Sequence, residues 1–211
     1  MERIAYIGGF LEPEPHETLR AALIEGFGIK ELEAMTFAQA MKYPERVRAR
    51  AEGALAITHS AGFMALVQSG AIPKRVIANN PPVPCSAAWL ATVATTKKTL
   101  GMFTRGYRNH GTRGLQQAAQ YNARSFGELM RHPVGNLQYI RAISRFDTTT
   151  TNNLNAILVL TEQDAYFHAA RFGQARKLGI PTILLAGEHD ELLLRPAEYI
   201  AALSTELVHR Q

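Results

Sequence analysis

Ser60, Asp164 and His189 are the residues whose types and placement point to chemistry. A serine hydroxyl is a weak nucleophile at neutral pH and needs a neighbouring base. Imidazole titrates near physiological pH, so His189 is suited to take that proton and pass it to a leaving group. A carboxylate such as Asp164 would hold the imidazole in one tautomer and stabilise the imidazolium. Each of the three follows a short apolar run of strand character. Ala54–Thr58 precedes Ser60, Leu154–Leu160 precedes Asp164, and Ile180–Ala186 precedes His189. In open α/β sheets, residues just past the strands gather at one edge, where ligands bind.

The strands must be arranged in parallel for that edge to exist. Ile4–Gly9 is a short apolar run ending in paired glycines, and Glu12–Phe27 has helical spacing closed by Gly28. Ile29–Phe37 is a second strand and Pro44–Glu52 a charged helix. Ala61–Gly70 is the helix after Ser60, and Lys74–Asn79 is the next strand. This alternation predicts right-handed crossovers and a parallel sheet covered on both faces. Pro81-Pro82-Val83-Pro84 breaks the rhythm. From about residue 84 to 146 the patterns are helical only: Ala87–Thr96, Leu115–Met130 and Asn136–Ile143. The alternation resumes with Leu154–Leu160, a helix over Ala165–Leu178, the strand Ile180–Ala186 and a closing helix Pro196–Val208. The expected organisation is a sheet domain, 1–83 with 147–211, and a helical insertion, 84–146.

The stretch Thr58-His59-Ser60-Ala61-Gly62, between an apolar strand and an apolar helix, resembles the nucleophile elbow of the α/β-hydrolase family. The usual Gly-x-Ser-x-Gly has Thr58 in place of its first glycine. Ser60, Asp164 and His189 also follow one another in the chain order of that family's triad. The resemblance spans the chain and implies a shortened α/β-hydrolase fold. Its sheet is an open, mainly parallel, doubly wound one of six strands, with Ile4 matching the family's third strand. It implies a serine hydrolase, an esterase or thioesterase, that acts through a Ser60 acyl-enzyme. The oxyanion donors would be the backbone amides of Ala61 and Phe10, with Gly9 as the alternative to Phe10. The insertion falls where the family carries its helical cap, whose apolar residues (Trp89, Met102, Tyr121 and Leu129 among them) would line an acyl pocket or bury one helix on another.

Alternatives stay open at several points. Ser60 is also a plausible N-cap of an ordinary helix. Asp190, in Gly187-Glu-His-Asp190, is a rival acid, and His209 would then be the base. Asp164 with His189 is preferred, because His209 ends a helix rather than following a strand and Asp164 would otherwise be an unexplained acid at a strand end. The same triad could serve amide or carbon–carbon cleavage, and the fold could be an inert binding protein.

Composition narrows the classes further. Net charge is +5, but the basic residues (Lys97, Lys98, Arg105–Arg113, Arg141–Arg145) are not interleaved with aromatics as in a nucleic-acid module. No nucleic-acid partner is expected, and a small-molecule ester or thioester is. A single cysteine, Cys85, permits no internal disulfide. No apolar run is long enough to span a bilayer, and no basic-then-apolar leader opens the sequence, so a cytoplasmic protein is the expectation. The histidines have no metal-ligand spacing and the Gly8-Gly9 pair lacks a dinucleotide fingerprint, so no metal or cofactor is expected. His59 is expected to pack or hydrogen-bond beside Ser60. His16, His110, His132 and His168 read as surface or loop residues.

Overall fold

The computed structural model describes residues 3–12, 14–93, 103–104, 107, 111–112, 115–116, 118–120, 122–124, 126–127, 130, 133–148, 154–164, 166–167, 173 and 179–208. The chain divides into two compact units, Met1–Val83 with Asp147–Gln211, and Pro84–Phe146.

The first unit is built on six strands: β1 (Arg3–Ile7), β2 (Glu31–Met35), β3 (Leu55–His59), β4 (Arg75–Asn79), β5 (Ala156–Thr161) and β6 (Thr182–Leu185). Their order is β2-β1-β3-β4-β5-β6 and every pairing is parallel. The sheet is open and flanked by helices. All residues of β3 and β5 are buried, as continuous apolar runs in the middle of a parallel sheet require. The edge strands are weaker: β2 exposes Glu31 and β6 exposes Leu184. From β1 the chain steps to β2 on one side and then crosses to β3 on the other. That reversal opens a crevice past the carboxyl ends of β1 and β3.

Helix α1 spans Glu17–Phe27 and ends at Gly28, whose φ of 58° places it in the left-handed region. It begins five residues later than its spacing suggests. His16 is the N-cap, extended in backbone and accepting from Leu19 N, which leaves Glu12 outside the helix. His16 is therefore a capping residue; its Nε2 also meets the Leu193 carbonyl. A helix not anticipated from the sequence, α2 (Phe37–Lys42), follows β2. A capping box starts it, with Thr36 and Gln39 satisfying each other's backbone amides. Then come α3 (Pro44–Ala51), with proline at its first position, and α4 (Gly62–Ser69) after β3.

In the second unit, α5 (Ala87–Thr92) packs on α6 (Pro133–Arg145), and the described positions between 115 and 130 are helical. Met102, Tyr121 and Leu129 lie outside the described residues, as do Lys97, Lys98, His110, His132 and His168. Most of the helix expected over 165–178 lies outside them too. The first unit closes with a one-turn α7 (Glu191–Leu194) and α8 (Pro196–Val208), which packs on α1. Among the described residues, no helix is long and apolar enough to cross a membrane.

One close approach sets how α4 meets the sheet. A Cβ on Gly62 would lie 2.3 Å from the Ile7 carbonyl oxygen and 2.7 Å from that of Gly8. Both are backbone atoms of β1 and its following loop, so neither yields easily. Gly62→Ala is expected to cost about 1–3 kcal/mol through overpacking, read as a lower urea midpoint. An unchanged midpoint would contradict this contact.

Candidate active site

Ser60 occupies the corner between β3 and α4 with φ 50°, in the left-handed region that a non-glycine residue adopts at a cost. Several contacts hold it there. Its amide donates to Asn79 O at 2.8 Å, and the Ser60 carbonyl accepts from Phe63 N. Asn79 in turn donates through Nδ2 to Thr58 O and accepts from the Tyr199 hydroxyl at 3.1 Å. Burial pushes the Tyr199 hydroxyl well above its ordinary pKa, helped by the charges of Asp164 and Glu191, so it stays a donor. Thr58 is fully buried in β3. The Ser60 side chain, largely buried, makes no hydrogen bond to a described residue, His189 included.

Among the described residues, two other non-glycine residues have positive φ, Leu11 (60°) and Asn80 (45°). They follow β1 and β4, so the three uncommon backbone conformations lie along one sheet edge. The Leu11 turn is closed by Glu12 N donating to Gly9 O at 3.0 Å. Asn80 bridges two further loops: its Oδ1 accepts from Thr161 N and Oγ1, and its Nδ2 donates to His189 O at 3.0 Å.

His189 and Asp164 meet. The His189 Nδ1–H donates to Asp164 Oδ2 at 2.8 Å, and both groups are buried. The other carboxylate oxygen of Asp164 accepts from the amides of Tyr166 (2.7 Å) and Phe167 (2.9 Å). With three donors converging on it, the carboxylate is an anchored acceptor. With Nδ1 donating, neutral His189 carries its lone pair on Nε2, the arrangement a general base needs. The rings of Tyr166 and Phe167 flank the imidazole at 4.5 and 5.7 Å.

A second buried pair lies beside it, and its acid belongs to the turn after β1 rather than to the helix that its spacing predicts. Glu12 is 3% exposed and accepts three hydrogen bonds: Tyr6 OH at 2.6 Å, Gly9 N at 2.5 Å and His59 Nδ1 at 2.8 Å. The other ring nitrogen of His59, Nε2, lies 3.0 Å from His189 O. Burial opposes ionisation of both groups, but their mutual attraction and hydrogen bonds overcome it. The Glu12 pKa falls below its ordinary value, with the Tyr6 and Gly9 donors helping. The His59 pKa rises, with Asp190 and the His189 carbonyl helping. The only hint in the sequence is an acid three residues past a glycine pair at a strand end.

These contacts bear on the remaining expected residues. The Gly9 amide is taken by Glu12, which removes it as an oxyanion donor. The amides of Phe10 and Ala61 donate to no described residue. A Cβ on Gly9 would lie 3.1 Å from Ser60 Cβ, so the loop after β1 passes directly over the serine. Asp190 is buried, and it offers a carboxylate oxygen within 4.8 Å of nitrogens of both His59 and His189. That trio is compact enough for a cation, but both His59 nitrogens already face acceptors, which does not suit a metal ligand. His209, the base in the rival pairing, lies outside the described residues.

No family model and no curated protein sequence matches the chain. Solved structures do. MGS-M2, an α/β hydrolase from a Medee basin deep-sea metagenome library, superposes with a TM-score of 0.62 at 13% identity, covering 100% of this chain and 90% of that one. The enol-lactonase from Burkholderia xenovorans LB400 gives 0.62 at 11% identity, with 99% and 92% covered. A thioesterase domain from the curacin biosynthetic pathway gives 0.58 at 12% identity, with 98% and 91% covered. The chain has the α/β-hydrolase fold.

The Glu12–His59 pair makes a stability prediction with a definite sign. A lowered Glu12 pKa contributes stability above pH 4.5 that is lost as pH falls through the folded value. A raised His59 pKa contributes stability below pH 6.5 that is lost as pH rises through the folded value. Near pH 6, Glu12→Ala is therefore expected to lose about 3–5 kcal/mol by orphaning a buried charge. In urea denaturation across pH, its gap from wild type narrows toward both extremes. A pH-independent gap would argue against a charged pair.

Proposed function

We propose that this chain is a serine hydrolase that cleaves a carboxylic ester or thioester through an acyl-enzyme on Ser60. The observation that carries the reading is the buried His189–Asp164 hydrogen bond, on the same sheet edge as a left-handed Ser60 corner. In the proposed reaction His189 Nε2 takes the Ser60 proton as Oγ attacks the acyl carbonyl carbon. The amides of Phe10 and Ala61 stabilise the oxyanion, and the N-terminus of α4 adds its favourable field. The C–O or C–S bond then breaks, the leaving alcohol or thiol takes the proton from His189, and water, activated by the same imidazole, releases the acid.

The ester and thioester classes are carried over from the names of the enol-lactonase and the thioesterase domain. Asp164 is the proposed acid, with Asp190 a neighbour of His59 rather than a triad member. Segment 84–146 is proposed as a cap by its place in the chain, between β4 and β5. The second reading, an inert binding protein of the same fold, draws on the missing Ser60–His189 hydrogen bond.

Labelling with a fluorophosphonate, followed by peptide mass spectrometry, separates the two readings. Stoichiometric labelling of Ser60 is expected, abolished by Ser60→Ala and strongly slowed by His189→Ala. Asp164→Asn is expected to slow it by about three to four orders of magnitude, and Asp190→Asn by far less. An unlabelled, folded wild-type protein would favour the binding-protein reading. A panel of acyl esters and thioesters then sorts the substrate class.

A further inference from the structure

Resting on that reading, we propose that Glu12 and His59 are positioning residues, a charged clamp that sets both the His189 loop and the turn presenting the Phe10 amide. The clamp joins three parts of the chain. Glu12 lies after β1, where it fixes the turn through Gly9 N and β1 itself through the Tyr6 hydroxyl. His59 ends β3, one residue before the nucleophile. The His189 carbonyl belongs to the loop after β6 and accepts from both His59 Nε2 and Asn80 Nδ2. Asp164 orients the His189 ring, and the His59 clamp holds the backbone that carries it.

The geometry dictates the protonation state. Both His59 nitrogens face acceptors, a carboxylate on one side and a carbonyl on the other. With Glu12 ionised, as its lowered pKa and its Tyr6 and Gly9 donors favour, both contacts are hydrogen bonds only when both nitrogens carry protons, so the ring is an imidazolium. Its charge is balanced by Glu12, so the pair is neutral as a unit beside the base. The ionisable groups around His59 are Glu12 and, through it, Tyr6 from the β1 side, Asp190 and the His189 ring from the β6 loop, and Asp164 behind His189 from the β5 loop. Burial disfavours the cation, but Glu12, Asp190 and the His189 carbonyl raise the His59 pKa in agreement with this assignment.

Glu12→Gln separates positioning from bulk. Glutamine keeps one carbonyl oxygen, which the Gly9 amide requires. His59 must then donate to that same oxygen through Nδ1, and a neutral ring turns a bare Nε2 toward the His189 carbonyl. The clamp therefore fails where His59 is neutral and recovers where it is protonated. In wild type, the rate of fluorophosphonate labelling at Ser60 is expected to rise with pH to a plateau, as a reaction that needs an unprotonated general base does. In Glu12→Gln it is expected to be about tenfold or more lower at pH 8, and to decline on the alkaline side, turning the plateau into a bell. His59→Gln, which lacks the titrating ring, is expected to be slow without the extra limb.

A folded Glu12→Gln protein with the wild-type rate and profile would overturn the proposal. Nitrogen-15 NMR of the wild-type histidine side chains gives a second test that needs no variant to fold. Two protonated nitrogens on His59 at pH 7.5 support the clamp, and one unprotonated nitrogen refutes it. If wild type is not labelled at Ser60, the hydrolase reading falls, and with it the positioning role, while the NMR result still decides whether the charged clamp exists.

Discussion

A carboxylate with almost no access to water is stable only where donors replace its hydration. Glu12 meets that constraint with a phenol from β1, an amide from its own turn and an imidazole from β3. The imidazole fixes a distance between segments that the sheet alone leaves loose, while the phenol and the amide hold the turn itself. The backbone of the loop after β1 is drawn over Ser60, and the His59 ring is oriented so that its far nitrogen reaches the loop after β6. The carboxyl edge of the sheet is tied together by polar groups that would be costly to leave unpaired. The apolar core beneath it supplies the burial that makes those bonds consequential.

The same edge concentrates the uncommon backbone conformations. Leu11, Ser60 and Asn80 all have positive φ, each just past the end of a strand. Such conformations persist when their surroundings over-determine them. Ser60 has the Asn79 carbonyl behind its amide, and Gly62 lets α4 sit against the carbonyls of Ile7 and Gly8. Asn80 is held by Thr161 and by the His189 carbonyl. The strain and its supports are thus shared by neighbouring loops, which couples the placement of the serine to that of the histidine.

Much of the sheet was legible in the sequence, unevenly and for physical reasons. β3 and β5 stand out because strands buried on both faces of a parallel sheet are largely apolar along their length. β2 is faint because it is an edge strand, where Glu31 and Glu33 can face water. α2 leaves little trace in the sequence because its six residues span too few turns to display a period, and its capping box is the stronger signal. The start of α1 differs from its spacing for the opposite reason. Glu12 continues an acidic, helix-compatible stretch, but the turn after β1 claims it.

By itself the sequence determined the order and type of the strands, the small residues that let a helix start close behind Ser60, and the placement of Ser60, Asp164 and His189 after strands. These depend on local periodicity and on the parallel sheet it implies. Only the tertiary structure decided which groups meet. The His189–Asp164 bond joins residues 25 apart, the His59–Glu12 pair residues 47 apart, and the His59 contact with the His189 carbonyl residues 130 apart. A hydrogen bond requires its atoms to come within about 3 Å. That precision comes from the crossing of the chain at β1 and β3 and from the packing beneath it, neither of which leaves a pattern along the sequence.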